Sequence, residues 1–194
     1  MRTKASVRKE SLHARDTLDP AYRREASERI WVRLSRLPEF RRADTVYFYS
    51  SFRSEVETPD MIRLAMDLGK KVCIPKVVSK EDMIFIMLGE DTAVAEGAYG
   101  IPEPVGDAPA GDAPAGDAPS DFVPDVIIMP CAAADIRGNR IGYGAGYYDR
   151  YLCRIPECTR ICLAFECQMT DEFETEETDI GADIIITEER TVRI

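Results

Sequence analysis

Apolar positions fall into two alternating kinds of run. Over residues 4–18, Val7, Leu12 and Leu18 stand among charged neighbours, a weakly amphipathic helical spacing. Asp19-Pro20 reads as an N-cap followed by proline at the first helical position. The helix it opens carries Ile30, Trp31, Leu34 and Leu37 on one stripe until Pro38 stops it. Residues 45–49, Thr-Val-Tyr-Phe-Tyr, predict a buried strand. Thr58-Pro59 opens another helix with Ile62, Leu64, Ala65 and Leu68, ended by Gly69 as a C′ glycine. Strands are predicted over 71–75, 83–87 and 125–130, a helix over 147–154, and the last two strands over 160–165 and 183–186. Continuous apolar strands alternating with helices predict an α/β fold: a mainly parallel sheet with helices on both faces. One domain spans 1–194, as the length suggests. Ligands of such sheets sit beyond the carboxyl ends of the strands, which points to the loops after residues 49, 75 and 130.

One stretch fits neither pattern. Residues 106–120 read GDAPA-GDAPA-GDAPS and hold no large apolar side chain. They are expected to form a low-complexity surface insertion that buries no core.

Composition narrows the chemistry. Net charge is −10, which disfavours nucleic acid and anionic membranes as partners. Yet residues 1–42 carry a net +6 and the remainder −16. The basic arm either docks on its own acidic body or helps hold an anionic ligand there; the plain alternative is a pair of solvated Arg-rich helices. A single histidine, His13, disfavours Ser-His and Cys-His catalysis and multi-His metal sites. Six cysteines without framework spacing, and no apolar run behind the N-terminal charges, lead us to expect reduced thiols in a cytoplasmic protein. Cys73 and Cys162, inside predicted strands, are expected to be buried and unligated.

The most informative segment is Gly138-Asn139-Arg140-Ile141-Gly142-Tyr143-Gly144-Ala145-Gly146-Tyr147-Tyr148-Asp149-Arg150. It follows a strand and opens a helix. Its glycines let backbone N–H groups approach an anion, the helix start adds a positive dipole end, and Arg140 adds a phosphate fork. Asp149 beside them is a hard oxygen ligand suited to a phosphate-bridging Mg²⁺. The spacing is not that of a Walker A loop, and a tight turn with helix-packing glycines is the plainer alternative.

This segment resembles the signature of the 5-formyltetrahydrofolate cyclo-ligase (methenyltetrahydrofolate synthetase) family, Arg-(Leu/Ile)-Gly-x-Gly-x-Gly-Tyr-Tyr-Asp-Arg. The resemblance extends over nearly the whole chain. Lys4 and Arg8 match an N-terminal Lys/Arg pair, and residues 49–58 match a Tyr-to-Glu-Thr segment containing Glu55. Residues 72–77 match a strand ending in proline, residues 99–104 a Gly-Ile-x-Glu-Pro motif, and residues 183–188 a closing strand; Gln168 and Asp179 fall at expected places. Two departures stand out. Ala145 replaces a family Gly or Lys. Cys131-Ala132-Ala133-Ala134-Asp135 replaces a Gly-x-x-Phe-Asp run in a loop expected to face the substrate, so altered pterin packing is implied.

The resemblance implies conversion of 5-formyltetrahydrofolate and ATP to 5,10-methenyltetrahydrofolate, ADP and phosphate. It implies that Lys4 and Arg8 hold ATP phosphates and that Arg140, Ile141, Gly142, Tyr143, Gly144, Ala145, Gly146, Tyr147 and Tyr148 form the nucleotide loop. Arg140 and Tyr148 would be catalytic. Ser50, Glu55, Tyr143, Ala145 and Tyr147 would meet the folate, and Asp149 with Asp179 would ligate Mg²⁺. The expected molecule is a monomer acting on small molecules, without nucleic-acid or membrane partners. Three other classes stay open on the residues: a non-catalytic folate- or ATP-binding protein, a sugar-phosphate isomerase, and a nucleic-acid role for the basic arm.

Overall fold

The structure is a computed structural model, and it describes residues 2–89, 92–105, 123–155 and 157–194. The repeat insertion expected over 106–120 lies outside the described residues. In chain order the elements are α1 Lys4–Asp16, α2 Pro20–Leu34, α3 Pro38–Arg42, β1 Thr45–Tyr47, α4 Pro59–Asp67, β2 Lys71–Val77, β3 Met83–Met87 and β4 Val94–Glu96. Then come β5 Pro102–Pro104, β6 Val126–Pro130, β7 Ala133–Ala134, β8 Arg140–Ile141, α5 Tyr147–Leu152, β9 Thr159–Leu163, β10 Ile184–Ile186 and β11 Thr191–Arg193.

Seven strands form the main sheet in the order β11-β10-β9-β6-β1-β2-β3. The five inner strands are parallel, and β3 and β11 pair antiparallel at the two edges. The mainly parallel α/β sheet is therefore present, and both antiparallel edges add to it. The β11 edge escapes a hydrophobic reading because Thr191–Arg193 is short and half-polar.

Period-two alternation divides the core. Val46, Phe48, Val126, Ile128, Ile161, Leu163, Ile184 and Ile186 face α2, α3 and α4. Tyr47, Ile127, Met129, Cys162 and Ile185 face the opposite side, where Leu152 of α5 joins them. Burying each such aliphatic side chain contributes about 1.5–3 kcal/mol. Cys73 and Cys162 are 1% and 0% exposed, as their strand positions led us to expect. Among the described residues no helix is long and apolar enough to cross a membrane.

Local chemistry modifies several expectations. Asp19 caps α2 through Oδ1, which accepts from Ala21 and Tyr22 N–H at 2.8 and 3.3 Å. The α2 helix ends at Leu34, and Pro38 starts a short helix of its own, since its fixed φ suits a first helical position. Thr58 precedes α4 without capping it; its hydroxyl donates to Tyr49 O at 2.8 Å and accepts from Ser51 N–H at 2.9 Å. That pair of bonds folds the chain back at the carboxyl end of β1. The predicted helix over 147–154 stops at Leu152.

The side chains of the altered segment after β6 are buried. Ala132, Ala133 and Ala134 are fully buried, and Ala132 and Ala133 pack with Val7, Ile141 and Phe173 beneath α1. Gln168 Nε2 donates to Cys131 O and Ala132 O at 2.8 and 3.0 Å. Small residues are what this close approach of α1 permits. The hairpin they begin turns on Asp135, whose Oδ1 accepts from Arg137 and Asn139 N–H. Gly138 closes the turn at φ +87, and a Cβ there would lie 2.5 Å from the Ala182 carbonyl oxygen. Gly138→Ala is therefore expected to lower stability by about 1–3 kcal/mol. Urea denaturation checks this, and an unchanged midpoint would show that the turn relaxes.

Candidate active site

The first helix brings its cations to two loops distant in the chain. Lys4 Nζ donates to Asp179 Oδ1 at 2.7 Å and pairs with Glu176 at 3.2 Å. One turn on, Arg8 Nε donates to Gly142 O at 2.8 Å. The basic arm is thus docked on its own body, and its contacts lie on the glycine segment and on the acidic loop before β10.

That glycine segment runs from β8 into α5. Gly144 holds φ +102, a left-handed conformation that favours glycine, and a Cβ there would lie 3.8 Å from the Arg8 guanidinium. Gly146 caps α5 in the αL region without a side-chain bond. Since α5 has only 6 residues, its dipole adds little to this site. Ile141 turns its side chain into the core beneath α1, and its carbonyl accepts from Ala132 N–H at 2.6 Å. Ala145 is exposed at the crest of the loop.

Arg140 is buried, its side chain 3% exposed, and a buried guanidinium requires partners. Nη2 donates to Asp149 Oδ1 at 2.7 Å and Nε to Ile180 O at 3.1 Å. Asp149 Oδ1 also accepts from Ile180 N–H at 3.2 Å. Asp179, next in the chain to Ile180, accepts from Glu176 N–H through Oδ2 at 2.7 Å as well as from Lys4. Arg140, Asp149, Asp179 and Lys4 therefore converge around Ile180, although they come from three regions of the sequence.

The second half of the site lies at the end of β1. Ser50 and Glu55 are both buried there. Between them Arg53 adopts φ +55, the only positive φ outside glycine among the described residues. Glu55 Oε2 accepts from Phe52 N–H at 2.8 Å, and Oε1 accepts from the Tyr143 hydroxyl at 2.6 Å. Burial pushes the Glu55 carboxyl up, while the Tyr143 hydroxyl, the Phe52 N–H and the Arg15 charge pull it back. Burial likewise pushes the Tyr143 hydroxyl up. The two tyrosines that open α5 behave differently. Tyr147 donates to Ser79 O at 3.1 Å, fastening α5 to the β2–β3 turn. Tyr148 packs edge-on to Phe85, with the Arg140 guanidinium 5.6 Å from its ring centre. Its hydroxyl is the buried side-chain polar atom left without a hydrogen bond among the described residues.

A family model described as the 5-formyltetrahydrofolate cyclo-ligase family matches residues 1–188. The chain belongs to the 5-formyltetrahydrofolate cyclo-ligase family. It is 26% identical to the Haemophilus influenzae 5-formyltetrahydrofolate cyclo-ligase, covering 90% of this chain and 91% of that one. Identity to the Escherichia coli K12 5-formyltetrahydrofolate cyclo-ligase is 27%, covering 89% and 93%. The NMR structure of the Aquifex aeolicus 5,10-methenyltetrahydrofolate synthetase superposes with a TM-score of 0.82 at 30% identity, over 98% of this chain and 92% of that one.

For this cyclo-ligase family member, Lys4, Arg140, Asp149 and Asp179 are brought together around Ile180, Arg8 meets Gly142 and Tyr143 meets Glu55, whereas the Ile141 side chain is core. Sequence reasoning missed Arg15, which is 2% exposed and bonds Tyr143 and Ser54. Its spacing of seven from Arg8 and eleven from Lys4, which keeps all three on one helical face, was the available signal. Tyr148→Phe removes a buried hydroxyl that has no partner. It is expected to leave the thermal midpoint unchanged or raise it by up to about 1–3 kcal/mol of stability, the penalty of an unsatisfied buried group. A clear loss of stability in calorimetry would mean that the hydroxyl is bonded in the folded protein.

Proposed function

We propose that this protein converts 5-formyltetrahydrofolate to 5,10-methenyltetrahydrofolate at the expense of ATP, releasing ADP and phosphate. The observation that carries the reading is Tyr143. Its backbone belongs to the glycine loop and its hydroxyl donates to Glu55 at 2.6 Å, so a glycine-rich loop suited to phosphate and a buried carboxylate suited to a heterocycle's N–H groups adjoin. Phosphoryl transfer between two bound molecules needs such adjacency, because most of its catalysis is alignment and charge stabilisation.

The chemical obstacle is an amide-like formyl group whose oxygen leaves poorly. On the proposed route that oxygen attacks the γ-phosphorus of ATP and ADP departs. N10 then adds to the formyl carbon and loses its proton, and phosphate leaves as the ring closes. Glu55 accepts from the amino and ring N–H groups of the pterin, with Ser50 beside it. Lys4, Arg8 and the backbone of residues 142–146 hold the phosphates. Arg140 neutralises charge on the transferring group, and Tyr148 directs its unpartnered hydroxyl to the reacting centre. Ala132 and Ala133 serve the docking of α1, so part of the feature that favoured a non-catalytic binding protein has a structural explanation.

Asp149 and Asp179 fit a Mg²⁺ that arrives with the nucleotide. Asp149 accepts from the N–H of Ile180, the chain neighbour of Asp179, whereas no cluster of three or more His, Cys, Asp or Glu occurs among the described residues. Mg²⁺ commonly takes one or two carboxylates and completes its shell with phosphate oxygens and water. It would supply charge neutralisation across the phosphates.

Three tests follow, with turnover in each read from the methenyl absorbance. Arg140→Ala is expected to lower turnover at least about a hundredfold; near-parental turnover would remove the loop from the chemistry. Excess EDTA should abolish turnover and Mg²⁺ restore it. Asp149→Asn should impair Mg-ATP use far more than folate affinity measured by fluorescence titration. Equal losses in a folded variant would take Asp149 out of the metal site.

A further inference from the structure

The chemistry above leaves one buried cation unassigned. Arg15 shares the α1 face with Lys4 and Arg8, yet its guanidinium meets the Tyr143 hydroxyl and the loop after β1, where neither of theirs is bonded. Nη1 donates to the Tyr143 hydroxyl at 2.6 Å and Nε donates to Ser54 Oγ at 3.0 Å. The Ser54 hydroxyl in turn donates a hydrogen bond to Asp16 Oδ1. The guanidinium is therefore gripped on two sides and cannot swing.

A guanidinium donates and never accepts. The Tyr143 hydroxyl must accept from Arg15, so its single proton goes to Glu55 Oε1. The chain of bonds has one polarity, and it ends on a carboxylate whose other oxygen is held by the Phe52 N–H. We propose that Arg15 is a positioning residue for the folate: acting through Tyr143, it keeps Glu55 an acceptor-only carboxylate for the N–H groups of the pterin. The proposal rests on the assignment of Glu55 to the folate made above.

The surroundings make this relay consequential. Glu55 is buried, and the titratable groups facing it are Tyr143 of the glycine loop, Tyr148 of α5, Tyr49 at the end of β1 and Arg15 of α1. Arg15 is the sole cation among these four. Without it the Tyr143 hydroxyl turns freely, and the Glu55 carboxyl, which burial already pushes up, takes a proton at higher pH. A protonated carboxyl points a donor at the donors of the pterin.

Steady-state kinetics of the full chain tests the relay, with 5-formyltetrahydrofolate and Mg-ATP varied in turn and pH stepped from mildly acid to neutral. Arg15→Gln is expected to raise the folate KM about tenfold, the size of one lost charge-assisted hydrogen bond, and to leave the ATP KM within about twofold. The acid limb of kcat/KM for the folate should move to higher pH. Tyr143→Phe cuts the relay at its middle, so adding Arg15→Gln to it should raise the folate KM no further. A purely structural Arg15 would loosen α1, raise both KM values through Lys4 and Arg8, and add to Tyr143→Phe; any of these overturns the proposal. Should Arg15→Gln fail to fold, Arg15→Lys keeps the charge but cannot serve Tyr143 and Ser54 as a fork, and the same non-additivity with Tyr143→Phe is expected. Glu55→Gln separates the two readings. An unchanged folate KM there overturns the Glu55 assignment itself, whereas a raised one beside a parental Arg15→Gln overturns only the relay.

Discussion

The site depends on one constraint: three cations on one face of α1 need acceptors once the helix is packed, and the loops beyond the sheet supply them. Val7 is buried in the same helix, so α1 cannot lift its charged face to water without exposing a core position. Lys4 finds Asp179, Arg8 finds the Gly142 carbonyl and Arg15 finds Tyr143, across 175, 134 and 128 residues of chain. An exposed ion pair contributes roughly 0–1 kcal/mol, and Lys4 with Asp179 is only partly buried. Their larger effect is geometric. The helix ties the glycine loop, the acidic loop before β10 and the strand-end loop to one rigid bar. The excess positive charge of the first 42 residues is, in these three places, an internal strut.

The same logic governs Arg140 and Asp149. A buried guanidinium left unpaired would be strongly destabilising, so Asp149 and the Ile180 carbonyl hold it in the folded protein. On the proposed reading both partners also have business with a phosphate and its metal ion. The pair would then hold two charges in register, Arg140 for phosphate oxygens and Asp149 for a metal ion that neutralises them. Preorganised charge of this kind lowers the reorganisation needed at the moment of transfer.

Much of the architecture was legible because the strands are buried on both faces and read as unbroken apolar runs. Val126–Pro130 and Thr159–Leu163 lie at the centre of the sheet and were found as strands. The outer strand Thr191–Arg193 was not, because its three residues hold one apolar side chain and none is fully buried, whereas the opposite edge strand Met83–Met87 is apolar throughout. Pro38 misled for a different reason: proline ends one helix and suits the first position of the next, and only the packing of Phe40 on Trp31 and Phe48 decides between them. In the site, the glycine spacing and the tyrosine pair stood out locally. Arg15 did not, since its partners Ser54 and Tyr143 lie 39 and 128 residues away. A charge on a helix looks solvated until the tertiary fold covers it.

Where the local rules fail is itself informative. Arg53 occupies a left-handed backbone region without being glycine, and the Tyr148 hydroxyl is buried without a partner. Each departs from what stability alone would select, at a typical penalty of about 1–3 kcal/mol. Arg53 lies between Ser50 and Glu55, and Tyr148 stands over the Arg140 guanidinium, 5.6 Å from its ring centre. A hydroxyl held dry, its burial raising the energy of the ionised form, keeps its proton and offers it to whatever acceptor enters. A backbone held against its preference fixes the direction of the Phe52 N–H that fills one oxygen of Glu55. Both departures lie where the loop after β1 and the glycine loop meet: one leaves the Tyr148 hydroxyl without an acceptor, and the other holds a donor already bonded to Glu55.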